Sequence, residues 1–176
     1  MKFFKKTTLL KRKKEERKPL QIKKPTPALP QKLTKTQIRI LQAAIERGEV
    51  IGGSFAQKTL YPESRNFRDI DIISRNPKRT VEHIQSKLNV ATIAEMGRHG
   101  KYTIKRKASG RVLADVVPSM YYQKYKVYGE IPSYNVNGVR VLKEDVLYRE
   151  KLRALKYGNP KLHNKLTKDV NFLKAS

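Results

Sequence analysis

Residues 52–73 read GGSFAQKTLYPESRNFRDIDII, a stretch that opens on a glycine turn. It closes on a short apolar segment carrying Asp69 and Asp71 two positions apart. In a β-strand, side chains at i and i+2 point to the same face. Asp69 and Asp71 therefore converge on one site, while Ile70 and Ile72 turn to the other side. Gly52 and Gly53 lack a Cβ, so their backbone N–H groups can approach phosphate oxygens, and the Ser54 hydroxyl adds a donor. Ser54 is also placed to cap the following turn, FAQKTL. Arg65 and Arg68 lie in the loop that enters the aspartate strand, where either guanidinium could take a triphosphate bidentately.

A third carboxylate belongs with this pair. Asp115 sits inside VLADVV, and a charge among apolar neighbours on a strand is costly unless it is paired or coordinates metal. If its strand lies beside the aspartate strand, Asp69, Asp71 and Asp115 form one cluster. Such a cluster suits Mg²⁺, which takes oxygen ligands and prefers carboxylates plus phosphate; Mn²⁺ fits the same donors. Two ions about 3.5–4 Å apart can stabilise the attacking and leaving oxygens of an in-line displacement. Asp115 is also the candidate general base for an acceptor hydroxyl.

The bulk composition points to a polyanionic partner. The 176 residues suit one domain, with or without a tail. Forty Lys and Arg against fifteen Asp and Glu leave a formal charge of +25. Phosphate neutralisation releases counterions, so a chain this basic is expected to meet nucleic acid, with RNA favoured. No apolar run approaches the roughly 20 residues that span a bilayer, so a membrane role is not expected. Cysteine is absent, which excludes disulfides and thiolate metal sites. The start MKFFKKTTLL is too broken for a secretory apolar region, and a cytoplasmic location is expected.

Residues 1–35 carry 13 Lys and Arg and two Glu, and close on Pro25, Pro27 and Pro30. They read as a basic, flexible arm, either a solvated tail or an RNA contact. From Thr36 the pattern turns helical, with Ile38, Leu41 and Ile45 on one face and Gly48 at the end. A short step at Val50–Ile51 leads to the glycine turn, and a strand is expected over 69–73. A helix is expected over 77–88, with Pro77 in its first turn. Strands are expected over 90–95, 101–106 and 111–117, and a hairpin about Asn137–Gly138. Two helices complete the pattern, with Tyr148, Leu152 and Leu155 on one face of the first and Leu162, Leu166, Val170 and Leu173 on one face of the second. The expected fold class is α/β (α+β): a small mixed sheet with flanking helices over 36–142, and a C-terminal helical pair over 143–176 packed on it.

Each feature alone has a plain reading. Gly-Gly-Ser can be only a turn, Asp-x-Asp a solvated face, and Arg65 and Arg68 surface charges. His83, His99 and His163 have no metal-ligand spacing. Tyr121, Tyr122, Tyr125, Tyr128 and Tyr134 read first as packing residues and second as base-stacking platforms.

Order and spacing tie these features together. The stretch 52–73, followed by LADVV, resembles the DNA polymerase β-like nucleotidyltransferase superfamily, whose signature is Gly-Ser at a helix start, then Asp-x-Asp, then a third Asp on a later strand. The nearer resemblance is to the minimal, AbiEii-type branch, where an arginine precedes the aspartate pair as Arg65 and Arg68 do here. This chain has Phe67–Arg68 where the family often has a serine. The segment EDVLYREKLRALKYGNPKLHNKLTKDVNFL resembles that branch's helical tail, with Lys151 and Lys168–Asp169 at the matching positions; in the family the helical lysine can lie near the nucleotide phosphates. The match spans roughly residues 36–174. It implies transfer of a nucleoside monophosphate from an NTP to a hydroxyl of RNA, such as a tRNA 3′ end, or of a protein. A toxin–antitoxin or defence setting, with an antitoxin partner, is also implied. The competing expectation is a basic nucleic-acid-binding or virion-associated protein that keeps the fold without catalysis.

Overall fold

The structure, a computed structural model, describes residues 21–174. Helix α1 (Lys35–Glu46) starts at a capping box: Gln37 N–H donates to Thr34 Oγ1, and Thr34 N–H donates to Gln37 Oε1. Its buried face is Ile40, Leu41, Ala43 and Ala44. Ile38 and Ile45, expected on that face, are exposed; Ile40, Ala43 and Ala44 join Leu41 on the buried face in their place. Strand β1 (Val50–Gly52) runs directly into α2 (Gly53–Leu60). Next come β2 (Ile70–Ser74) and α3 (Pro77–Lys87), the latter with Pro77 in its first turn. Strands β3 (Thr92–Met96), β4 (Tyr102–Arg106) and β5 (Val112–Pro118) come after it. A 3-10 segment at Ser119–Tyr125 leads to the hairpin β6 (Ser133–Val136) and β7 (Val139–Leu142). Positive φ at both Asn137 and Gly138 closes that hairpin in two residues. Helices α4 (Glu144–Tyr157) and α5 (His163–Leu173) end the described chain.

The seven strands form one mixed sheet in the order β3-β4-β5-β2-β1-β7-β6. β2 pairs with β5, and β1 with β7, in parallel; every other pair is antiparallel. The fold class expected from the sequence is the one observed. Ile70 and Ile72 of β2 are fully buried with Ala114, Val116 and Ile104 in the main core, where α1 and α3 pack on each other and on β2 and β5. Ile73 faces the other way, into a smaller cluster with Val50, Ile131, Leu142 and Val146. That alternation places apolar residues on both sides of β2 and leaves room for the aspartates on the second side. In the C-terminal pair, Tyr148, Val170 and Leu173 are buried, while Leu152 and Leu162, expected on the inner faces, are exposed.

Residues 1–20, most of the arm expected from the sequence, lie outside the described residues. Residues 21–34 are a correction to that expectation: they are a strap on the body. Thr26 and Ala28 N–H donate to Leu60 and Thr59 carbonyls, Ile22 bridges to Lys174, and the Tyr61 hydroxyl donates to the Lys23 carbonyl at 2.6 Å. Ile22, Leu29 and Leu33 pack on the main core. The prolines and lysines hid three well-spaced apolar anchors.

The strap yields a direct test. Replacing Ile22, Leu29 and Leu33 together with alanine is expected to cost about 3 kcal/mol, roughly 1 for each partly buried side chain. Urea denaturation at neutral pH measures it; a loose arm would give no change.

Candidate functional site

The parallel pairing of β2 with β5 sets Asp71 directly beside Asp115. Neighbouring strands lie about 4.8 Å apart, so directly paired residues on one face present their side chains together. Asp69, one residue before β2, shares the Asp71 side by alternation. All three carboxylates line a cleft of about 370 Å³ together with Gly53, Arg65 and Lys151. The cleft is closed on its far side by the C-terminal helices, through Leu166 and Asp169.

Gly53 is required where it stands. Its φ is +61°, and a Cβ there would lie 1.6 Å from Asp71 Oδ2. Helix α2 thus begins with its backbone pressed against the carboxylate. The helix N-cap is Gly52, which has no side chain to cap with. Ser54 is the second helical residue, and its hydroxyl accepts from Arg65 Nη2 at 2.7 Å. Ser54 therefore contributes through a side-chain contact and not through the cap expected from the sequence.

Charge is concentrated at Asp71. Burial, then the charges of Asp69 and Asp115, push its carboxyl up to about 6, with Lys101 and Lys151 pulling the other way. Asp115 is satisfied from β4: Thr103 Oγ1 donates to Oδ1 at 2.6 Å and Lys101 Nζ to Oδ2 at 2.7 Å. Neither residue stood out in the sequence. A β-bulge explains why. Lys105 pairs with Val112, but Ile104 pairs with Ala114, so the register slips by one residue at Leu113. Had the first register continued, Asp115 would face Tyr102; the slip sets Thr103 opposite it instead.

Across the cleft, one carboxylate holds two cations. Asp169 is almost fully buried; it accepts from Arg65 Nε at 2.6 Å and Nη2 at 2.8 Å, and from Lys151 Nζ at 2.6 Å. Burial pushes Asp169 up, but the Arg65 hydrogen bonds and the Lys151 charge outweigh it and hold the carboxyl below its ordinary value. Burial lowers the Lys151 ammonium, against the pull of Asp169. The clamp joins α5, α4 and the loop before β2, and it aims two cationic side chains at the cleft that holds the aspartates.

Arg68 is placed elsewhere. The alternation that puts Asp69 and Asp71 together puts Arg68 with Ile70 and Ile72 on the opposite side of β2. It lines a separate depression with Arg106 and Arg111. Gly52 lies against Ile73 and Leu142 at the back of the site. Of the nucleotide-binding candidates, Gly53, Ser54, Arg65 and Lys151 line the cleft, and Gly52 and Arg68 do not.

Among the described residues no three Asp, Glu or His side chains form a preformed metal shell. The donors present nonetheless suit a hard cation. They are carboxylate oxygens, those of Asp71 made more basic by burial and by the neighbouring charges of Asp69 and Asp115, and carboxylates are what magnesium prefers.

No protein-family profile and no curated protein matches this chain. Solved structures do. The Megavirus polyadenylate synthase superposes with a TM-score of 0.61 at 16% identity, over 78% of this chain and 30% of that one. JHP933 from Helicobacter pylori gives 0.52 at 16% identity, over 80% and 67% respectively. A Helicobacter pylori protein assigned provisionally as a nucleotidyltransferase gives 0.51 at 18% identity, over 71% and 58%. The chain has the nucleotidyltransferase fold, and it spans less than a third of the length of the viral synthase. No described helix is long and apolar enough to cross a membrane.

This geometry has two measurable outcomes. Gly53→Ala meets both a left-handed backbone and the Asp71 carboxylate, and is expected to cost at least about 2 kcal/mol by denaturant unfolding. Asp71 titrates with the opposite sign to a salt-bridged carboxylate. Between the ordinary value of 3.8 and about 6, the folded state holds a proton that the unfolded state releases, so stability falls as pH rises through that window. In chelator, Asp71→Asn is therefore expected to remove this dependence and to stabilise the protein at pH 7 by on the order of 2 kcal/mol.

Proposed function

We propose that this chain is a metal-dependent nucleotidyltransferase that moves a nucleoside monophosphate from an NTP to a hydroxyl acceptor. The observation that carries the reading is the side-by-side placement of Asp71 and Asp115, with Asp69 on the same face and the Gly53 backbone against Asp71. The fold shared with nucleotidyltransferase structures supports it. Asp69, Asp71 and Asp115 would hold Mg²⁺, one or two ions, with Mn²⁺ as a substitute. When bound, divalent cation neutralises charge on the transferring phosphoryl group and on the pyrophosphate.

The chain's own residues supply the rest. Gly53 N–H and the Ser54 hydroxyl face the triphosphate, and Arg65 and Lys151, steadied by Asp169, offset its charge. Asp115 takes the proton of the acceptor hydroxyl as its oxygen bonds the α-phosphorus. The bond from that phosphorus to the bridging oxygen breaks, and pyrophosphate carries away the electron pair.

The formal charge of +25 favours RNA as acceptor over protein. ATP is the first nucleotide to test, because the viral structural neighbour, at a TM-score of 0.61, is a polyadenylate synthase. The likeness of the Lys151–Asp169 tail to the AbiEii-type branch supports a toxin–antitoxin or defence setting in the cytoplasm.

The test is label transfer. Each α-labelled NTP is incubated with Mg²⁺, total RNA and the protein, and Asp69→Asn and Asp115→Asn are expected to lower transfer by at least about 100-fold. Tight RNA binding without transfer, indifferent to both substitutions, would leave a binding protein on this fold. Metal capture has a separate readout: Mg²⁺ is expected to raise the melting temperature of the wild type and to have far less effect on Asp71→Asn.

A further inference from the structure

We infer that Arg68, Arg106 and Arg111 form a seat for the phosphodiester backbone of the acceptor strand, around the end of the sheet from the carboxylates. The word acceptor rests on the nucleotidyltransferase reading; the seat itself stands on its own geometry. The three arginines come from three separate segments: the loop before β2, the end of β4 and the residue before β5. They surround a depression of about 80 Å³ with Thr36, Gln37 and the buried Leu113. The bulge at Leu113 brings them together. It pairs Arg106 with Arg111, whose carbonyl accepts from Arg106 N–H at 2.9 Å. Both then lie on the Ile104 side of β4, which is also the Arg68–Ile70–Ile72 side of β2.

Among the described residues these charges have no acidic partner. Among the described residues, arginine ion pairs fall on Arg47, Arg65, Arg75, Arg140 and Arg153, and none involves the three. The first turn of α1, beside them, contains no acidic residue. All three side chains are exposed. Like charges gathered about one hollow repel one another unless an anion sits among them. A guanidinium offers a planar fork matched to phosphate oxygens, and three of them border this one hollow. Its position fits a strand that ends in the cleft. Arg68 adjoins Asp69, and Arg111 precedes Asp115 by four residues, roughly 13 Å along a strand. A nucleic acid whose end lies at the carboxylates would pass this corner. Arginine contacts to phosphate position a strand without reading its sequence.

The test measures strand binding without NTP or divalent cation, so it can succeed where label transfer fails, and the reverse. A fluorescent single strand of about 16 nucleotides, as RNA and as DNA of one sequence, is titrated against the full chain over a range of salt. Arg68→Gln, Arg106→Gln and Arg111→Gln combined are expected to weaken binding at least about tenfold at low salt. They should also flatten the slope of log affinity on log salt by about 2. A control combining Lys78→Gln, Arg79→Gln and Lys161→Gln removes the same charge from other exposed positions and is expected to do far less. Lysine at all three seat positions retains the charge without the fork, and should recover most of the slope and part of the affinity. Unchanged melting of each variant confirms folding. Arginine-dependent seating of either strand supports the proposal, and preference between them tells which acceptor is seated. Binding by the seat variant that matches the control variant in affinity and slope overturns it.

Discussion

The parallel contact between β2 and β5 is the constraint on which the molecule is built. It presses two carboxylates together in a place where neither would be stable by itself. The opposite faces of the same strands supply the compensation: Ile70, Ile72, Ala114 and Val116 are fully buried and hold the register by burial alone. A slip of one residue would exchange the two faces, sending charge into the core and isoleucine into the cleft. The hydrophobic effect thereby fixes an electrostatically unfavourable arrangement, and the raised basicity of Asp71 records the conflict.

Around this contact, each other element satisfies a charge or closes a face. The β4 strand brings Thr103 and Lys101 to Asp115. Helix α2 brings a bare backbone to Asp71. The C-terminal helices bring Asp169, which draws Arg65 and Lys151 into one buried group. The result is a cleft with an acidic wall and a cationic wall facing each other, which suits a ligand that is itself polyanionic but arrives with metal.

Much of this was legible in the sequence, and the reason is local periodicity. Asp-x-Asp on a strand specifies a shared face without any knowledge of partners, and the apolar neighbours of Asp115 announced a charge that needed company. The helix over 77–87 and the Asn137–Gly138 hairpin were equally local. What escaped depended on register and docking. Lys101 and Thr103 reach Asp115 only because of a bulge that no residue type advertises. Arg68 was grouped with Arg65 by closeness in the chain, yet the alternation that unites the aspartates sends it to the other face. Ile38 and Ile45 are exposed while Ala43 and Ala44 are buried, so the size of the apolar residues did not mark the inner face of α1. Residues 21–34 looked like solvated chain because lysine and proline outnumber their few anchors, and anchors are recognised only by what they touch.

The Asp169 clamp has a temporal meaning as well. Arg65 and Asp169 are separated by 104 residues, so the contact that completes the cationic wall is among the most distant in the chain. During synthesis the sheet and all three aspartates emerge well before their counterpart does. Non-local contacts of this kind form late in folding, after the loop they close has been ordered. A growing chain would therefore possess the acidic wall while lacking the cationic one, and it would acquire both only once α5 has docked. The cationic wall of the site therefore waits on the docking of α5.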